Sequence, residues 1–210
     1  MKKYWFFIIS VLIIFGGQAS LYFISKLLIT DYHLIGNLFD VNTPFITWFI
    51  YFYMIWYPFE ILTFYLVYKD SKKTYIKAII VLSICLIIAQ LTYYIYPTRI
   101  ERPIVDTYNN LTTWIIYLTY AMDTPVNCLP SVHCIICFIA MFMVYESGIN
   151  IKYKYLIYFI NIMIVASTLL VKQHVLIDVI LALIISIICY YGLSDLKIFK
   201  RFEKKLGSLT

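Results

Sequence analysis

Charged side chains make up only 13% of the 210 residues, and glycine and proline occur six times each. In a chain that is 63% hydrophobic and 19% aromatic, with a mean hydropathy of +0.85, that scarcity of charge excludes a soluble single domain. No low-complexity linker and no internal repeat divides the chain, so residues 1–210 read as one domain with no room for a separate soluble one. The five cysteines are odd in number and lie mostly inside apolar segments, and Cys134-x-x-Cys137 completes no zinc pattern. They read as small hydrophobes rather than a disulfide framework.

What is present is apolar sequence in long runs. A bilayer core takes roughly 20 residues of helix, and six stretches meet or approach that length: about 4–26, 45–68, 75–96, 131–147, 153–172 and 174–194. The expected fold is therefore all-α, an integral membrane bundle of six transmembrane helices. Met1-Lys2-Lys3 opens like a signal peptide, but the apolar run continues to about Phe23 without a small-x-small cleavage site, so it reads as a retained first span. The net charge of +6 is spread in short clusters between the runs, which fits membrane orientation better than a nucleic-acid partner. If the helices alternate, Lys2, Lys3, Lys69, Lys72, Lys73, Lys77, Lys152, Lys154, Lys197, Lys200, Arg201, Lys204 and Lys205 fall on one side. By the positive-inside rule that side is the cytoplasm and holds both termini. The other face receives the connections 27–44 and 97–130 and only Lys26, Arg99, Arg102 and Lys172. Within the second connection, 104–121 mixes Ile104, Leu111, Trp114, Ile115 and Leu118 with Asp106, Asn109, Asn110 and Thr112, the pattern of an interfacial helix.

Ionisable residues at membrane depth are functional candidates, and on the less basic face they fall in three blocks. The first is Pro97-Thr98-Arg99-Ile100-Glu101-Arg102-Pro103, where two guanidiniums can grip phosphate oxygens in a way lysine cannot, or anchor headgroups. The second is Leu129-Pro130-Ser131-Val132-His133. Ser131 is placed to cap a helix whose N-terminal amides attract an anion, and His133 suits proton donation to a leaving oxygen near neutral pH. The third runs from Ser167 to Asp178. His174 and Asp178 are spaced i,i+4, which on a helix puts them on one face, so the carboxylate can hold one imidazole nitrogen while the other attacks. The bland alternative for each block is a lipid anchor, a capped helix or a structural His–Asp pair.

Together the blocks resemble the signature of the type 2 phosphatidic acid phosphatase (PAP2) superfamily: K-x6-R-P, P-S-G-H and S-R-x5-H-x3-D on the outer side of a six-helix bundle. Ser167, His174 and Asp178 match the last spacing; Pro130, Ser131 and His133 match the second, with Val132 in place of glycine. Two cations are displaced: Ile95 stands where the lysine is expected and Thr168 where the arginine is, and Arg99 and Lys172 are the nearby replacements. The set is similar to the branch near inositol phosphorylceramide synthase. The resemblance implies a metal-independent enzyme with no cofactor, related to acid phosphatases and vanadium haloperoxidases, acting on a lipid phosphate. His174 would be the nucleophile, Asp178 its orienting group and His133 the acid, with Arg99, Arg102, Ser131, Ser167 and Lys172 holding the phosphate. It further implies a plasma-membrane protein with an extracytoplasmic site, and leaves hydrolysis and transfer to an alcohol both open. Two rival readings are a small transporter with Glu60, His174 and Asp178 along a proton path, and an inactive lipid-binding relative. His33, in the first connection, has no partner pattern and stays outside the site, and Glu60 reads as a structural carboxyl more readily than as a gate for lipid access.

Overall fold

The computed structural model describes residues 4–106, 110–193 and 196–207; Lys2, Lys3 and Asn109 lie outside these. It is mostly helical, and each of the six apolar runs carries a helix: α1 (Trp5–Leu28), α3 (Thr47–Asp70), α4 (Lys72–Ile95), α6 (Val132–Glu146), α7 (Ile151–Leu170) and α8 (Leu176–Gly192). Four of them, α1, α3, α4 and α7, are long and apolar enough to cross a membrane, whereas α6 and α8 are shorter. Three further helices are α2 (Leu38–Asn42), α5 (Leu111–Met122) and α9 (Lys197–Gly207).

The 15 residues of α6 form the axis of the bundle. Every residue from Cys134 to Ala140 is buried, because α3, α4, α7 and α8 pack around the helix on all sides. A helix apolar around its whole circumference belongs at such a centre. Surrounding helices instead turn Leu12, Ile13, Ile87, Leu91 and Phe159 outward, an apolar exterior suited to lipid rather than water.

At one end of the bundle the first connection and the segments that carry the three sequence blocks are tied together. β1 (His33–Leu34) pairs in parallel with β2 (Thr98–Arg99), and Arg99 also bridges Val126 in the antiparallel sense. Thr98 Oγ1 accepts from the amides of Cys128 and Leu129 at 3.1 and 3.2 Å, which fixes the approach to α6. The Tyr93 hydroxyl donates to the Pro130 carbonyl at 3.0 Å, and the Ser131 amide donates to the Asp178 carbonyl at 3.3 Å, seating the starts of α6 and α8 side by side.

Two sequence expectations need correction here. The helix expected over 104–121 is described from Leu111, capped by Asn110 with Thr113 in a reciprocal capping box, while 104–106 are not helical. The sixth run becomes helical at Leu176 rather than at position 174, so His174 and Asp178 do not share a helix face.

Candidate functional site

His174 lies in the turn between α7 and α8. That turn is closed by the Gln173 and His174 amides, which both donate to the Thr168 carbonyl at 2.9 Å, and by Lys172 in the left-handed region at φ 55°. Asp178, in the first turn of α8, reaches back: its Oδ2 accepts from the Val175 amide at 3.0 Å and lies 3.1 Å from Nδ1 of His174. The i,i+4 pair thus forms through capping geometry. One carboxylate oxygen closes the helix start and orients the imidazole, leaving Nε2 for chemistry. Asp178 is fully buried, and its Oδ1 has no hydrogen-bond partner among the described residues.

His133, in the first turn of α6, stands across from His174 with ring centroids 5.6 Å apart, edge to face. Its ring is packed between Tyr53 and Trp56 of α3, at 4.7 and 4.0 Å between centroids. Ser131 is the expected N-cap, its hydroxyl accepting from the Cys134 amide at 3.3 Å.

Arg102 completes the centre. One guanidinium nitrogen donates to the Asp123 carbonyl at 2.5 Å, another to Gln173 Oε1, and the group lies 4.6 Å from the Tyr120 ring. Such a planar fork held by two acceptors and a ring face is preorganised in a way that an ammonium cannot copy. Asp123 itself accepts from the hydroxyls of Tyr22, at 3.0 Å, and Tyr53. Burial works to raise the Asp123 carboxyl, but the fields of His133 and Arg102 and the Tyr53 hydroxyl outweigh it and hold the group below its ordinary value.

Two cavities meet at Arg102 and His174. One, of about 530 Å³, runs sideways between α1, α3 and α5 past Phe23, Tyr57, Trp114, Leu118 and Met122, and includes His133 and Asp123. The other, of about 680 Å³, lies under the first connection among Asn37, Asp40, Glu101 and Lys172. A polar head with an apolar tail has matching surfaces in this pair.

Of the eight residues singled out in the sequence, His133, His174, Asp178 and Arg102 converge, and Lys172 borders the polar cavity. The Lys172 ammonium already donates to the carbonyls of Asp40 and Thr43, at 2.6 and 2.5 Å. Arg99 lines neither cavity, being held in the strand pairing, and neither do Ser131 and Ser167. The Ser167 hydroxyl is buried and donates to the Ile164 carbonyl at 2.6 Å, and Thr168 is buried beside it. Glu60 is fully buried beside the Cys137 thiol and lines neither cavity. His33 stacks on Tyr96 at 4.4 Å, away from the centre. Sequence reasoning missed Tyr53, Asp123, Cys128 and Gln173. For Gln173 the signal was adjacency to His174; for the others only folding reveals it.

Comparison with protein-family models, with curated proteins and with solved structures finds no match for the chain.

Proposed function

We propose that the protein is a lipid-phosphate phosphatase that passes the phosphoryl group through His174. The observation that carries the reading is the meeting of a carboxylate-oriented histidine and a second histidine, 5.6 Å apart, where an apolar cavity joins a more polar one beside a fixed guanidinium.

In this reading the lipid tail lies in the sideways cavity and the phosphate sits between the two histidines. Nε2 of His174 attacks phosphorus, the bond from phosphorus to the lipid oxygen breaks, and His133 gives that oxygen its proton. Water then attacks the phosphohistidine and the P–N bond breaks. His133 takes the water's proton, and inorganic phosphate leaves. Asp178 stabilises the positive imidazole during attack, and Arg102 offsets charge on the equatorial oxygens, the step in which positioning and electrostatics do most of the work. Lys172 contributes its remaining donor from the polar cavity, and the Ser131 cap keeps the start of α6 directed at the site. Arg99 and Ser167 have no direct part in this arrangement.

The polar cavity favours a second outcome for the same intermediate: an alcohol held among Asn37, Asp40 and Glu101 in place of water, giving transfer rather than hydrolysis. The proposed topology has six spans, both termini in the cytoplasm and the site at the outer leaflet of the plasma membrane. It is supported by the sequence distribution of basic residues, which fall opposite the two long connections if the six helices alternate.

The test is release of inorganic phosphate by the detergent-purified chain from a panel of lipid monophosphates and pyrophosphates without added divalent metal. Release that disappears in His174→Ala supports the reading. No release of inorganic phosphate from any lipid, together with no phosphate ester formed on an added alcohol, overturns it.

A further inference from the structure

Cys128 has no part in the chemistry above, yet its thiol comes within 4.8 Å of ligand atoms of both His174 and Asp178, and those two lie within the same distance of each other. The juxtaposition is built by long-range contacts. The Cys128 amide is fixed on Thr98 Oγ1 at 3.1 Å, and its side chain packs with Ile100 and Val175. Cys128 is 2% exposed and borders the sideways cavity, so the cluster is reached from that cavity rather than from open solvent. The Asp178 carboxylate adds a second, independent feature. Its Oδ1 is buried without a hydrogen-bond partner among the described residues, an arrangement that destabilises the fold when nothing answers it.

Sulfur, imidazole nitrogen and carboxylate oxygen form the mixed donor set of a borderline-soft divalent cation. Magnesium and calcium take oxygen ligands and avoid thiolate. A tetrahedral zinc ion stands about 2.0–2.3 Å from each ligand, so its donors lie roughly 3.3–3.8 Å apart. Rotation of the Cys128 or His174 side chain by about 1 Å closes the present separation to that range. Three protein ligands would leave a fourth position facing the cavity.

We propose that Cys128, His174 and Asp178 form a site for a thiophilic divalent cation such as zinc, and that filling it silences the protein. Binding converts Cys128–SH and the free cation into a thiolate-bound cation and one released proton, with no change of oxidation state. The coordinated imidazole no longer has its lone pair for attack on phosphorus. The binding site stands on this geometry alone, whereas the silencing rests on the nucleophilic role proposed for His174.

The purified full chain is titrated with Co²⁺, whose thiolate charge-transfer and tetrahedral ligand-field absorptions report the site without any substrate. One equivalent of cation-dependent absorption is expected, displaced by Zn²⁺, lost in Cys128→Ser and kept in Cys134→Ser and Cys189→Ser. In the same protein, Zn²⁺ but not Mg²⁺ slows maleimide labelling of Cys128 read by mass spectrometry, which requires no variant to fold. Phosphate release falls with added Zn²⁺, and the half-inhibitory concentration rises at least about tenfold in Cys128→Ser, the size of one lost ligand. No thiolate band in the folded wild type, or a band that survives Cys128→Ser, overturns the site. A band with unchanged or increased phosphate release leaves the site and overturns the silencing. A band in a protein that releases no phosphate from any lipid leaves the cation site standing and sinks the phosphatase reading instead.

Discussion

Lys172 donates its ammonium to the backbone carbonyl of Asp40 at 2.6 Å, while the carboxylate of the same Asp40 accepts from the Leu176 amide at 2.7 Å. Asp40 therefore clasps the chain on both sides of His174. A lysine that sequence spacing offers as a phosphate ligand is, in the folded chain, first a strap across the first connection. Lys172→Met removes two charge-assisted hydrogen bonds at a partly exposed position, worth about 1–2 kcal/mol together. Amide exchange at Val41 and Thr43 is expected to rise roughly tenfold, with a smaller loss in kcat. A large rise in KM with unchanged exchange would instead make phosphate binding the main duty of Lys172.

Arg102 is a two-acceptor problem. Its guanidinium serves the Asp123 carbonyl and Gln173 Oε1 at once and rests on Tyr120. A lysine keeps the charge but lacks the planar fork, so Arg102→Lys is expected to lower kcat/KM roughly 100-fold while the melting temperature changes by only a few degrees. Steady-state kinetics beside thermal unfolding checks this. Near-wild-type kinetics in the lysine variant would mean that charge alone is what the site uses.

How much of this was legible before folding depends on the range of the signal. Helices were, because six apolar runs meet or approach twenty residues, and the pairing of His174 with Asp178 was, because they are spaced i,i+4. The way they pair was not. A helical reading puts both on one face, whereas the turn closed on Thr168 leaves His174 outside the helix and makes Asp178 its cap. Ser167 and Arg99 carried the right residue types, but the Ser167 hydroxyl is spent on its own helix and the strand that carries Arg99 leaves its side chain outside both cavities, local demands that a motif does not reveal. Asp123 and Cys128 are held at the site by Arg102, Tyr53, Tyr22 and Thr98, partners 21 to 101 residues away.

Asp123 gives the protein an acid limit. Its carboxyl is held below its ordinary value in the folded chain, so the unfolded chain binds the proton more readily. The stabilisation is present above the unfolded value of about 3.9 and is lost as pH falls through the lower folded value. Asp123→Asn is expected to melt lower than wild type at pH 7, with the gap narrowing as the pH drops below about 4. Melting curves from pH 7 to 3 measure both. A gap that stays constant over that range would assign the acid limit to other carboxylates.

The sideways cavity makes a claim about tails that differs from any claim about phosphate. Leu118 lines it from α5, with Trp114 and Met122 one turn before and after it on the same helix. Leu118→Trp fills the space where an acyl or prenyl chain would lie without touching His174, His133 or Arg102. Apolar pocket contacts discriminate by roughly 10- to 200-fold per methylene-sized change. A long-chain lipid phosphate should therefore show a KM raised at least about tenfold in Leu118→Trp, while a short water-soluble phosphomonoester is turned over with unchanged kcat/KM. Equal losses on both substrates would mean that the substitution disturbs the catalytic centre. Equal retention on both would place the tail outside this cavity, against the bilayer face of α7 or α8, and would leave the cavity's apolar lining without a role in substrate choice.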